Sequence, residues 1–248
     1  IDEGVEFSVV CVPEGYTYVP DNNFEQALVD LGYDSAVDDF VLTENISGVD
    51  ALDLNEREIS DLTGIEAFTA LTGLNCDSNQ LTALDISANT ALDTLYCSSN
   101  QLTTLDVSAN TTLKYLSCNS NQLTSLDVSS NTALTLLGCE INQLTVLDVS
   151  ANTALEYLSV SDNELTSLDV SANTALTTLY CSVNQLTVLD VSANTALRQL
   201  ACNTNELTSL DVSNHTALMH LTCDGNNLTS LDVSANTALT FLVCGNVP

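Results

Sequence analysis

The sequence predicts a β-rich solenoid: a parallel β-sheet along a concave face, short extended or 3-10 segments along a convex face, and a small helix-containing cap at the amino end. Three observations predict it. Leucines recur every 21 residues at Leu71, Leu92, Leu113, Leu134, Leu155, Leu176, Leu197, Leu218 and Leu239. The string LDVSANTAL occurs verbatim from Leu147, Leu168, Leu189 and Leu231, with near copies from Leu84, Leu105, Leu126 and Leu210. Eight of the nine cysteines also fall at one repeat position. A fixed period of this length means one supersecondary unit per repeat, unable to bury its apolar side alone and stable only when stacked on its neighbours.

The first 48 residues lie outside the period. In YVPDNNFEQALVDLGYD the pattern predicts a helix with Asp21 as N-cap, Phe24, Ala27, Leu28 and Leu31 on one apolar face, and Gly32 as its stop. The following DDFVLTENISGVDALDL reads as extended. A solenoid exposes an apolar end that needs covering, so residues 1–48 are read as a cap and 49–248 as nine full coils plus a partial tenth. The first unit, Val49 to Ala70, is a 22-residue variant of the rest.

Within each unit the leading leucine is position 1, and positions 3 to 7 read as a short strand. Alternation sends positions 4 and 6 inward and positions 3, 5 and 7 outward. Ten such strands at ~4.8 Å spacing make a rod on the order of 45 Å long. Position 9 is asparagine from Asn79 through Asn226. Its amide donates and accepts at once, which suits it to tying the backbones of adjacent turns together. In the second half-unit Leu105 and Val107 should face inward and Asp106 and Ser108 outward, with a tight turn at Ala109-Asn110-Thr111.

Position 6 holds Cys76, Cys97, Cys118, Cys139, Cys181, Cys202, Cys223 and Cys244, with Val160 taking the slot in between. Valine can replace a small buried hydrophobe but not a metal ligand or a disulfide partner. The even spacing also differs from paired C-x-x-C zinc sites. The column therefore reads as reduced packing residues, the alternative being rung-to-rung disulfides. Cys11 follows an acidic stretch rather than an apolar signal core and reads as an ordinary thiol. Ile1 reads as the start of a processed or truncated product.

The aspartates at position 15 (Asp85, Asp106, Asp127, Asp148, Asp169, Asp190, Asp211, Asp232) read first as scaffold, each accepting backbone N–H bonds in its turn. Weak calcium binding by the stacked carboxylates is the second reading, although one carboxylate per rung falls far short of six to eight oxygens. Neighbouring charges ~5 Å apart repel by roughly 0.8 kcal/mol in water, which eight rungs can tolerate.

Against this monotony, the outward positions of the strand change in every coil. Tyr96, Tyr115, Leu136, Tyr157 and Tyr180 should form one aromatic stripe on the concave face, with Gly138 leaving a dip. Lys114 and Arg198 lie at position 2, and His220 and Phe241 at position 3 further along. Tyrosine joins apolar area to a polar tip, so these nine positions other than the glycine form the candidate ligand-binding face for protein or for sugar rings. Tyrosines that merely favour the sheet are the competing reading.

The chain is acidic, with 33 Asp and Glu against 3 Lys and Arg and a formal charge of −30. Phosphate neutralisation needs basic side chains, so nucleic acid is excluded as a partner and an anionic membrane surface is disfavoured. No apolar run approaches the ~18 residues of a membrane span. No nucleophile-elbow motif, P-loop or H-E-x-x-H occurs, His215 and His220 fall on different surfaces, and no catalytic role, cofactor or metal site is assigned.

LDTLYCSSNQL, from Leu92 to Leu102, resembles the leucine-rich repeat pattern L-x-x-L-x-L-x-x-N-x-L, and nine successive matches extend the resemblance over 49–248. With YVPDNNFEQAL ahead of ISDLTGIEAFTALTGLNC, the chain resembles secreted or cell-surface leucine-rich repeat proteins of Bacteroidetes, with an internalin-like arrangement. Such proteins commonly end in a sorting domain, and since this chain stops at FLVCGNVP, inside a tenth coil, that region is read as absent or removed. Asp34-Ser35-Ala36 and Asp93-Thr94-Leu95 resemble their D-[S/T]-apolar O-glycan sites. The resemblance implies a monomeric, secreted or surface-displayed binding module for a protein ligand, or alternatively a neutral-glycan module beside an enzyme.

Overall fold

The computed structural model describes residues 10–245. Its principal feature is one ten-stranded parallel sheet with its strands in chain order. The strands are β3 (Ala51–Asp53), β4 (Gly73–Asn75), β5 (Thr94–Tyr96), β6 (Tyr115–Ser117), β7 (Leu136–Gly138), β8 (Tyr157–Ser159), β9 (Thr178–Tyr180), β10 (Gln199–Ala201), β11 (His220–Thr222) and β12 (Phe241–Val243). Each covers positions 3 to 5, shorter than the 3 to 7 expected from alternation, although rung-to-rung bonds such as Ser78 N–H to Ser98 O continue to position 8, where the backbone turns left-handed. Register is strict, with Thr94 beside Tyr115, Leu136 beside Tyr157 and Gln199 beside His220. Leu95 and Cys97 are fully buried and Thr94, Tyr96 and Ser98 are half-exposed, as alternation requires.

Stacking produces one apolar core running from Val19 to Leu228. Two asparagine columns stitch the turns together. At position 9, Asn100 donates to the carbonyls of Cys76 (2.9 Å), Cys97 and Ser98, while its Oδ1 accepts from Leu81 N–H at 3.0 Å. The second column lies at the turn that closes each coil. There Asn110 is fully buried between two successive turns, with Asn110 N–H donating to Val107 O and Leu113 N–H to Asn110 O. Its amide reaches the previous coil, donating to Ile86 O at 3.1 Å and Asn89 O at 2.9 Å. The tight turn expected at Ala109-Asn110-Thr111 is thus built around a buried pivot. His215 occupies this column too: it is buried and its Nε2 meets Val191 O at 3.0 Å, the contact an asparagine amide makes elsewhere.

The amino-terminal block packs on the first coil. Strands β1 (Tyr16–Tyr18) and β2 (Phe40–Leu42) pair antiparallel, and helix α1 (Asn22–Asp30) lies between them in sequence. Asp21 caps α1 through the N–H groups of Asn23 and Phe24. Its second oxygen accepts from Ser60 N–H, Ser60 Oγ–H and Asp61 N–H of the first coil. Partial burial raises the Asp21 carboxyl, but these donors, led by Ser60, hold it below its ordinary value. Phe24 stacks on Phe68 with ring centroids 6.3 Å apart, and Arg57 bridges to Asp30 at 2.7 Å.

Two expectations need correction in this block, and one residue was passed over. Leu31 is 41% exposed rather than on the buried face. It is the C-cap residue, and Gly32 at φ +81° turns the chain away there. The stretch read as extended contains a one-turn helix, α2 (Thr43–Ile46), which buries Ile46. Finally, Glu25 is fully buried on α1, its carboxylate accepting N–H bonds from Asp38, Asp39 and Phe40 at 2.9, 3.0 and 2.9 Å.

Candidate functional site

The outward residues of positions 3 and 5 form the concave surface. Tyr115, Leu136 and Tyr157 are consecutive neighbours in register on β6, β7 and β8. Tyr180, at position 5 of β9, meets Tyr157 edge to face with centroids 5.7 Å apart. Tyr96 stands at position 5 of β5, one strand from Tyr115 and diagonal to it. Gly138 is the floor of the dip: a β-carbon there would stand 3.0 Å from Asn119 Oδ1, so a larger residue must displace that amide.

The stripe continues into a second patch. Tyr180 donates its hydroxyl to Gln199, and a depression of about 290 Å³ is lined by Tyr180, Gln199, Ala201, His220 and Phe241. His220 and Phe241 also meet edge to face, at 6.0 Å. Lys114 and Arg198 do not join either patch. Both precede their strands, Lys114 paired with Asp93 at 3.5 Å and Arg198 exposed with no ion pair among the described residues.

Two polar residues of the surface escaped sequence reasoning. Ser159 is fully buried and donates to the carboxylate of Glu140, at position 7 on the preceding coil. Burial and then the Glu140 charge raise the Tyr157 phenol above its ordinary value. A partial signal was available: position 7 is Ser98, Asn119, Ser161, Ser182 and Asn203 in the central coils, where Glu140 is the acidic residue, although Asp77 and Asp224 hold the position towards the two ends.

The cysteine column is chemically quiet. All nine cysteines are free thiols, and burial pushes those of Cys118 and Cys181 up to about 12. Such groups stay protonated and unreactive at neutral pH. Cys118 Sγ instead points its weak donor at Gly138 O, 3.5 Å away on the next strand. Val160 occupies its slot fully buried, as a packing role requires.

On the convex face every aspartate of the column holds its own turn. Asp106 Oδ1 accepts from Ser108 N–H at 2.9 Å, and the same bond recurs from Asp85–Ser87 to Asp232–Ser234. Interaction with the serine hydroxyl and then its amide lowers the carboxyl at Asp85, Asp106, Asp127, Asp148, Asp169, Asp190 and Asp232, the amide leading at Asp211. A lowered folded-state value means that stabilisation by the column is full above the unfolded value of about 3.9 and disappears as pH falls through the folded value. Comparing the melting temperatures of the native protein and a variant with all eight aspartates changed to asparagine isolates this effect. The advantage of the native column should hold from neutrality to about pH 4 and shrink below it. A difference that grows on acidification would show that charge repulsion dominates instead.

No family model matches the chain. Internalin J of Listeria monocytogenes is 44% identical over 70 residues, which are 28% of this chain and 8% of that protein. A solved functional domain of the same protein, described as including a cysteine ladder, superposes with a TM-score of 0.76 at 40% identity and covers 92% of this chain. A solved internalin, inlF, also of L. monocytogenes, reaches a TM-score of 0.85 at 26% identity, again over 92% of the chain. The chain is an internalin-like leucine-rich repeat solenoid. It spans 56% of the internalin J structure and 70% of the inlF structure, so the likeness concerns the repeat region and not the whole of those proteins. Internalin C2, at 21% identity and a TM-score of 0.75, shares the fold. The eight cysteines at position 6 give this internalin-like solenoid a ladder of its own. Among its described residues no helix is long and apolar enough to cross a membrane.

Proposed function

We propose that this solenoid is a non-enzymatic binding module that is secreted or displayed on the outer cell surface and grips a protein ligand, as an adhesin does, with its concave face. Residues 1–48 act as the amino-terminal cap and 49–248 as the recognition array of a monomer. One observation carries the reading. Framework columns repeat almost without change, whereas positions 3 and 5 differ from coil to coil and bring Tyr115, Leu136, Tyr157 and Tyr180 together on a solvent-facing surface. Aromatic side chains in such numbers are the usual anchors of protein interfaces. Stability alone does not require them, since Thr178, Gln199 and Thr94 fill the same position in other coils of the same sheet.

The test uses peptides selected on the native protein from a random displayed library. Changing Tyr115 and Tyr157 together to alanine should weaken their binding at least about tenfold, or 1.4 kcal/mol. The melting temperature should fall by only about 2–4 °C, because Tyr115 is exposed and Tyr157 only half-buried, outside the leucine core. Unchanged affinity in the double variant would count against the concave face.

A further inference from the structure

Two residues at the edge of this sheet are a poor choice for the backbone they occupy. At position 8, where each coil leaves the sheet, the chain adopts a left-handed conformation, with φ +53° at both Ile141 and Val183. Branching at the β-carbon makes such a conformation a genuine outlier. Most other coils place Ser78, Ser99, Ser120, Asp162 or Gly225 there, and Thr204 is the one other β-branched residue in the column. Burial gives no compensation, since Ile141 is 52% and Val183 43% exposed. Strand propensity gives none either, because position 8 lies outside the strands.

The neighbourhood shows what these residues face. Ile141 directly follows Glu140, whose carboxylate is anchored by Ser159 next to the Tyr157–Tyr180 pair. Exposed Asp162 occupies the intervening coil, so the edge alternates apolar, acidic, apolar. No Lys, Arg or His occurs anywhere between Lys114 and Arg198, and the chain as a whole carries a formal charge of −30. An acidic partner is repelled. A cation gains from both carboxylates and from the faces of the two tyrosines.

We infer that the edge formed by Glu140, Ile141, Asp162 and Val183, together with Tyr157 and Tyr180, receives a protein segment in which a lysine or arginine lies beside an aliphatic side chain. The inference rests on the concave-face reading and narrows it to the coils of β7 to β9. The cation sits against Glu140, Asp162 and the tyrosine rings, and the aliphatic neighbour packs on the exposed side chain of Ile141 or Val183 beside them. The left-handed backbone is held within the solenoid, by Ile141 N–H to Ser161 O at 3.0 Å and Val183 N–H to Asn203 O at 2.9 Å, which leaves both apolar side chains free for the partner.

The opposite signs expected for stability and binding make the test sharp. Asparagine tolerates the left-handed region, so Ile141→Asn with Val183→Asn should leave the melting temperature unchanged or raise it. Peptides selected from the random library on the native 248-residue protein should be enriched in Lys or Arg adjacent to Leu, Ile or Val, and should bind this variant at least about tenfold more weakly. Glu140→Gln, which keeps an acceptor for Ser159, should weaken the same peptides and flatten the dependence of binding on salt. Native affinity in the asparagine variant, a lowered melting temperature, selected peptides without basic residues, or no enrichment at all would each overturn the inference. Peptides insensitive to the edge variant but lost on changing Tyr115 and Tyr157 would overturn the edge and leave the concave face standing. Insensitivity to both sets, or binding of neutral glycans without peptide enrichment, would overturn both.

Discussion

Replacing Asn142 with alanine should lower the unfolding free energy by about 3 kcal/mol or more, read as a shift in urea midpoint at constant slope. This single side chain is buried at a coil junction and makes four bonds. Its Nδ2 donates to Cys118 O, Cys139 O and Glu140 O at 3.1, 3.1 and 3.2 Å, and its Oδ1 accepts from Leu123 N–H at 3.0 Å. Alanine leaves the Leu123 N–H without a partner and removes a donor from three carbonyls in a region that water does not reach. An orphaned buried polar group costs about 1–3 kcal/mol, so several together dominate over the small change in packing. The coils are coupled to their neighbours, and the loss should therefore appear as destabilisation of the whole array rather than local fraying. The same change at the less buried Asn226 should cost less. A loss below about 1 kcal/mol at Asn142 would mean that the backbone relaxes onto other partners.

Glu25→Ala should destabilise the amino-terminal block by about 3 kcal/mol or more, since it strips the acceptor from three N–H groups at once. One of them belongs to Asp39, held at φ +72°. That strained link directs the chain back into β2, whose Phe40 N–H is another of the three donors. Hydrogen exchange of residues 38–46 should accelerate markedly, while exchange in the central strands β7 to β9 should change little. Glu25→Gln keeps one acceptor oxygen and should fall between alanine and the native residue. Equal acceleration across β7 to β9 would show that the block and the array unfold as one unit.

Glu25 also marks where sequence reasoning ran out. The helical pattern in NNFEQALVD singles out its apolar residues and says nothing of Glu25. Only the return of residues 38–40 over α1 turns it into a buried acceptor, and no local pattern encodes that return. Leu31 failed for a related reason: helical periodicity assigned it to the apolar face, but Gly32 ends the helix before that face extends so far. The array behaved differently. Leu95, Cys97, Leu105 and Val107 were assigned inward from alternation and are all buried, because a repeated unit must present the same face in every coil to stack at all. The convex asparagines were legible as constant but not as buried, since asparagine in a turn-like string is ordinarily exposed. His215 showed the same ambiguity, read as a turn residue and found inside the second asparagine column.

The candidate surface was legible to the same degree. Variation within the chain identified Tyr115, Leu136, Tyr157 and Tyr180 as outward residues, and strict register makes neighbours of the first three. That Tyr180 reaches Tyr157, that Glu140 is anchored by Ser159, and that Lys114 spends its charge on Asp93 all depend on side-chain directions between coils. The 21-residue period by itself determined the solenoid and its core columns, because periodicity is a property of the chain read in one dimension. Which outward residues touch, which backbone sites are strained and which buried groups find partners were decided only in the tertiary structure, where contacts join residues about one coil apart.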